Sequence, residues 1–186
     1  MLKINIGRWA SVLGLIFAVF GVDANAAQRW STKICGVDQS RPAERIFAEP
    51  DSKHNWREYR GVKEVPKLEN DFGEFAQLWT SHDGNVLISV QAPGEDFASY
   101  TDYCFDSKGE LIELRFQLRT AWGWGYRVEG PVLNGRLAPK KSEFFNTKTE
   151  MPITKPEQAD DIPDALKPMV YLREVQLPFS KLLPKA

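Results

Sequence analysis

The stretch Arg119–Arg127, RTAWGWGYR, alternates large aromatic residues with glycines between two arginines. Trp and Tyr rings stack on sugars, peptides and other ring systems, and intervening glycines leave a flat floor. Arg119, Arg127 and Glu129 could orient a bound group through hydrogen bonds. Trp122, Trp124, Tyr126, Arg119 and Arg127 are therefore the candidate ligand-binding set, with an envelope glycan, a peptidoglycan fragment, a peptide or a protein as the partner. The same aromatics have a second reading, as the buried face of a strand.

Other chemistry is sparse. The histidines are His54 and His82, and neither has a His or Cys at metal-ligand spacing, so no metal or cofactor is expected. His82 sits in the turn His82–Asp83–Gly84–Asn85, where backbone geometry alone explains Asp and Gly. A Gly-x-Ser-x-Gly elbow is absent, and Gly123 and Gly125 lack the third glycine and the lysine of a phosphate loop. Carboxylates offer the remaining route to catalysis. Glu95, Asp96, Asp102, Asp106, Glu110 and Glu113 cluster in one region, and glycoside hydrolysis needs only two at a suitable separation. They fall mainly at turns and on the polar side of a strand pattern, where solvation explains them equally well.

Cys35 and Cys104 are the two cysteines, 69 positions apart. The chain begins with features of an export signal over residues 1–26. Lys3 and Arg8 precede the apolar run Trp9–Val22, and Ala24–Asn25–Ala26 has the small-x-small cleavage pattern. A run of 14 residues is short for a membrane span, so no stable span is expected after cleavage. Export to an oxidising compartment, periplasmic or extracellular, makes a Cys35–Cys104 disulfide the natural expectation. Such a loop closure is worth about 4 kcal/mol on the chain-entropy model. The net charge is −1, and it stays near neutral without Lys3, Arg8 and Asp23, so the balance gives no electrostatic case for nucleic acid.

These side chains need a framework. Residues 27–186 are long enough for one globular domain. Within it, residues 72–130 read as an antiparallel β-meander. FAQLWTS, VLISVQA, FASYTDYCF and ELIELRFQLR are strand-like runs separated by turn signals at 82–85, 93–96 and 106–109. The fold class is α+β or mainly β, with four or more strands. Short helical segments are expected on the N-terminal side, where Ser40–Arg41–Pro42–Ala43–Glu44 has a helix-start pattern. HNWREYRG is too brief to assign. Residues 146–186 read as an extended, proline-punctuated arm, with a helical turn in PEQADDIPDAL and a strand in MVYLREVQL. The arm either packs on its own sheet or lies in a partner's groove.

Parity ties the framework to the aromatic stripe. Ile112, Leu114, Phe116, Leu118, Thr120, Trp122, Trp124, Tyr126 and Val128 share one parity; Glu113, Arg115, Gln117, Arg119 and Arg127 share the other. One unbroken strand from 112 to 128 would run roughly 56 Å, so a bend or turn is expected at Gly123 or Gly125. Two functions follow. The first is a non-enzymatic binding, inhibitor or interaction module of the bacterial envelope or exterior. The second is a small carboxylate-dependent hydrolase of envelope glycans, which needs two of those acids in a cleft beside Trp122 and Trp124. A third is assembly through the proline-punctuated arm. The sequence does not set the oligomeric state.

Overall fold

The computed structural model describes residues 33–50, 55–65 and 73–183; the expected signal over residues 1–26, and His54, lie outside the described residues. The strands are β1 (Lys33–Ile34), β2 (Val37–Asp38), β3 (Arg45–Glu49), β4 (Arg57–Tyr59), β5 (Glu74–Thr80), β6 (Val86–Pro93) and β7 (Phe97–Phe105). They continue as β8 (Leu111–Thr120), β9 (Trp124–Leu133), β10 (Arg136–Leu137), β11 (Lys141–Asn146) and β12 (Pro152–Ile153). Among the described residues, ten of these form one antiparallel sheet in the order β12-β11-β9-β8-β7-β6-β5-β3-β4, with β10 beside β9. From β5 onward this is a meander, each long strand pairing with the next.

The aromatic stretch is a hairpin. Leu118 faces Tyr126 and Phe116 faces Val128 across the β8–β9 pair. The three-residue loop Ala121–Trp122–Gly123 ends on a glycine at φ +88°, where a side chain would be strained. Thr120 Oγ1 donates to the Trp124 carbonyl at 2.6 Å and closes the turn. A loop of this length preserves parity, so Leu114, Phe116, Leu118, Trp124, Tyr126 and Val128 stay on one side of the sheet. Within the paired strands, parity fails at the start of β8, and in the loop Trp122 leaves the buried face. A bulge opposite Cys104 and Phe105 places Leu111 in the core and leaves Ile112 39 % exposed.

The two faces of the sheet differ in what covers them. On the arm face, Phe47, Leu78, Ile88, Tyr103, Leu114, Phe116, Leu118 and Trp124 pack against Ala159, Leu177, Phe179 and Leu183 of the C-terminal segment. On the opposite, charged face, the β1–β2 hairpin covers one end. There Ile34, Cys35 and Val37 pack on Trp79, Leu87 and Cys104. Cys35 and Cys104 are joined in a disulfide that fixes the hairpin to β7. Cys35 and Gly36 both have positive φ, as a two-residue hairpin turn requires.

Two local expectations differ from the structure. The helix expected from Ser40 is not formed. The Ser40 N–H instead donates to Asp38 Oδ1 at 3.0 Å in an Asx turn, and the chain enters β3. Ile46, Phe47, Ala48 and Glu49 are all buried, because β3 lies between β4 and β5 with both faces covered. Helical structure on the described N-terminal side is confined to a 3-10 turn at Val62–Glu64. The strand expected in MVYLREVQL is reduced to one bridge, Glu110 with Arg173, because this segment crosses the sheet face and joins no edge. A 3-10 turn does form at Glu157–Asp160.

Candidate functional site

A cleft of about 220 Å³ lies between the arm face and the C-terminal segment. Its floor follows from strand periodicity: Phe97, Ser99, Thr101 and Tyr103, alternate residues of β7, all face it. Glu74 of β5, Val90 and Ala92 of β6 and Phe116 of β8 continue the floor, and Ala165, Lys167, Met169, Tyr171 and Pro178 form the roof. The space exists because Ala92, Ser99 and Thr101 are small, while Phe97, Phe116 and Tyr103 are large.

The roof is held from its far end. Phe179 is fully buried, stacked on Phe47 at 5.0 Å and tilted against Trp56 at 4.6 Å. Burying such a ring contributes roughly 3 kcal/mol. Arg45 donates to the Leu182 carbonyl, and the Leu111 N–H donates to the Leu172 carbonyl at 2.9 Å. Over the cleft itself the segment is less tied. Met169 is 65 % exposed, although its carbonyl accepts a 2.9 Å hydrogen bond from the Tyr103 hydroxyl.

Tyr103 and Tyr171 stand at the cleft with ring centroids 5.6 Å apart and planes inclined by 53°. Burial pushes the Tyr103 phenol strongly upward, with Tyr171 and Glu74 adding to the rise and a Thr101 hydrogen bond opposing it. Burial and the Glu74 charge raise Tyr171 as well. Both phenols are therefore neutral at ordinary pH. The arrangement can enclose an apolar body and present hydroxyls and a carboxylate to it.

The residues singled out from the sequence do not meet at one point. Trp122 is 49 % exposed at the hairpin tip and stacks on Trp124 at 6.1 Å. Trp124 is buried on the arm face, packed on Phe144, which in turn contacts Tyr126. The Tyr126 hydroxyl pairs with Ser142 Oγ at 2.9 Å. Arg119 and Arg127 lie on the opposite, charged face. Arg119 bonds Glu150 at 2.8 Å and the Thr147 carbonyl; Arg127 bonds Glu143, with Glu150 at 3.5 Å. Both guanidiniums lie over the Phe145 ring, at 5.4 and 4.7 Å. Glu129 pairs with Arg115 at 3.2 Å. The aromatics thus form one group and the arginines another, separated by the sheet.

The carboxylates are also dispersed. Asp102 is held on the charged face by Arg115 at 3.6 Å and by Gln39. Asp106 accepts the Lys108 and Glu110 N–H groups of its own turn. Glu95 and Asp96 are exposed at the β6–β7 turn, where the Asp96 carbonyl accepts the Ala121 N–H. Among the described residues, no group of three His, Cys, Asp or Glu side chains is placed to hold a metal ion.

Sequence reasoning missed the cleft. Its one visible trace was in FASYTDYCF, where Ser99 and Thr101 take core-facing positions between Phe97 and Tyr103. Small polar residues in mid-strand on the apolar parity mark room that a larger side chain would fill. Comparison with protein-family models, with curated proteins and with solved structures gives no match for this chain.

Proposed function

We propose that this protein is an exported, non-enzymatic binding module of the bacterial envelope or exterior, and that its ligand enters the cleft between the sheet and the C-terminal segment. The cleft carries this reading: it is concave, lined mainly by apolar and aromatic groups, and has a few convergent polar ones. Export is supported by the apolar leader and by the Cys35–Cys104 disulfide. The dispersion of the acids favours binding over hydrolysis. Trp122 is the part of the aromatic stripe most open to a partner, and it serves as a second contact point for a glycan or peptide.

The test is a methyl NMR titration of the purified protein with peptidoglycan fragments, oligosaccharides, short peptides and small aromatic molecules. Saturable shifts at Val90, Ala92, Ala165 and Met169 are expected, and Ser99→Phe, which fills the cleft, should abolish them. If no member of the panel moves these methyls, the cleft is not a binding site.

A further inference from the structure

We infer that the cleft selects a small organic cation, an ammonium group carried on an apolar or aromatic body. This deepens the binding reading above and rests on it. Four aromatic side chains line the space, Phe97, Phe116, Tyr103 and Tyr171. The inclined pair of tyrosines gives it two non-parallel walls. Aromatic rings attract a cation by their negative faces, most strongly where water is displaced.

Charge completes the selection. Glu74 enters the floor from β5, beside Ala92. It has contacts of its own within the protein, and the two oxygens of a carboxylate offer about four acceptor sites in all. Its carboxylate lines the same space as both tyrosines, where a carboxylate favours a cationic group over an anionic one. Lys167 also lines the cleft, yet its side chain is 72 % exposed and its Nζ pairs with Asp164 at 2.9 Å. The lysine charge thus lies at the exposed rim beside a carboxylate, whereas Glu74 belongs to the floor, where an anionic ligand would lose its water beside it. Size sets the other limit: 220 Å³ is the liquid volume of about seven waters, room for one ring and a short chain.

Three soluble probes of nearly equal size decide the matter: phenethylammonium, 2-phenylethanol and 3-phenylpropionate. Each is titrated while following the Val90 and Met169 methyls. The cation should bind about tenfold more tightly than either of the others. Glu74→Gln should remove that preference, and Glu95→Gln, on the exposed turn, should leave it intact. Tyr171→Leu removes one wall without altering a strand, so it decides the question if Glu74→Gln fails to fold. It should weaken the cation several-fold more than the alcohol. Equal binding of the alcohol or the acid, within about threefold, overturns the cation inference and leaves cleft binding standing. Binding of only neutral or anionic members of the wider panel does the same. An empty panel overturns both.

Discussion

Replacing Gly125 by alanine tests the packing behind the aromatic hairpin. The added Cβ would lie 2.4 Å from Phe145 Cζ, 2.6 Å from Phe145 Cε1 and 2.6 Å from the Leu118 carbonyl oxygen. Carbon contacts are comfortable only at about 3.5–4.0 Å, so the ring must retreat by about 1 Å. It has little room to do so, being fully buried with Arg119 and Arg127 over it. The carbonyl belongs to β8, held in the ladder between β7 and β9. Overpacking costs about 1–3 kcal/mol, near the upper end for contacts this short, and the entropic gain of replacing glycine returns about 0.4–1. We expect a net loss of about 2 kcal/mol, read in urea denaturation or as a fall in Tm of about 4–8 °C. A double-mutant cycle isolates the cause. Phe145→Leu removes the offending ring atoms and should recover about 1 kcal/mol in the Gly125→Ala background, but not all, because the carbonyl contact remains. Gly123→Ala is the control. Nothing lies within 4 Å of its Cβ, so its cost of about 1–2 kcal/mol comes from φ +88° and should be indifferent to Phe145. A neutral Gly125→Ala, or no coupling to Phe145, would refute the packing.

Reducing the Cys35–Cys104 bond should lower stability by about 4 kcal/mol, seen as a shift in the urea midpoint with and without reductant; an unchanged midpoint would mean that the hairpin is held by Trp79 and Leu87 packing alone. Acrylamide should quench Trp122 readily and Trp124 poorly, so Trp122→Phe removes accessible emission and Trp124→Phe removes blue-shifted emission; equal loss from both would contradict their burial. Asp102 has a carboxyl raised above 3.8 chiefly by burial, against Arg115, Ser89 and Gln39. Its contribution to stability is complete below the unfolded pKa and is lost as pH rises through the folded one, so Asp102→Asn should flatten the fall in that window. A carboxyl NMR midpoint below 3.8 would show that Arg115 outweighs burial. Phe179→Ala should cost about 3–5 kcal/mol and loosen the roof of the cleft, which calorimetry and Met169 methyl relaxation would report.

The meander was legible because its signals are local. Turn residues at 82–85, 93–96 and 106–109 and period-two apolar runs need no knowledge of the rest of the chain, and they delivered β5 to β8. The disulfide was legible for a different reason, since in a chain with two cysteines each has one intramolecular partner. Where several neighbours decide, local patterns mislead. Ser40–Arg41–Pro42 has helix-start chemistry, but Ile46 to Glu49 are buried on both faces, and that burial, invisible in a window of ten residues, makes a strand. The candidate site met the same limit. Strand parity correctly placed Trp124, Tyr126 and Val128 together, yet parity also puts Arg119 and Arg127 on the far face, so the five residues never shared a surface.

The glycines admit the same physical test. As a flat floor for a ligand, Gly125 would face open space, as Gly123 does. Instead its missing side chain is filled by Phe145, with Arg119 and Arg127 arranged around that ring and Glu150 joining them. The aromatic–glycine alternation is thus explained by two different demands, a turn at Gly123 and a close approach at Gly125, with neither requiring a ligand. Space that the protein does not fill lies two strands away, over Ser99 and Thr101, where small side chains meet an arm fixed by Phe179. Filled packing around the conspicuous residues and unfilled space beside inconspicuous ones both move the search for a ligand from the hairpin to the cleft.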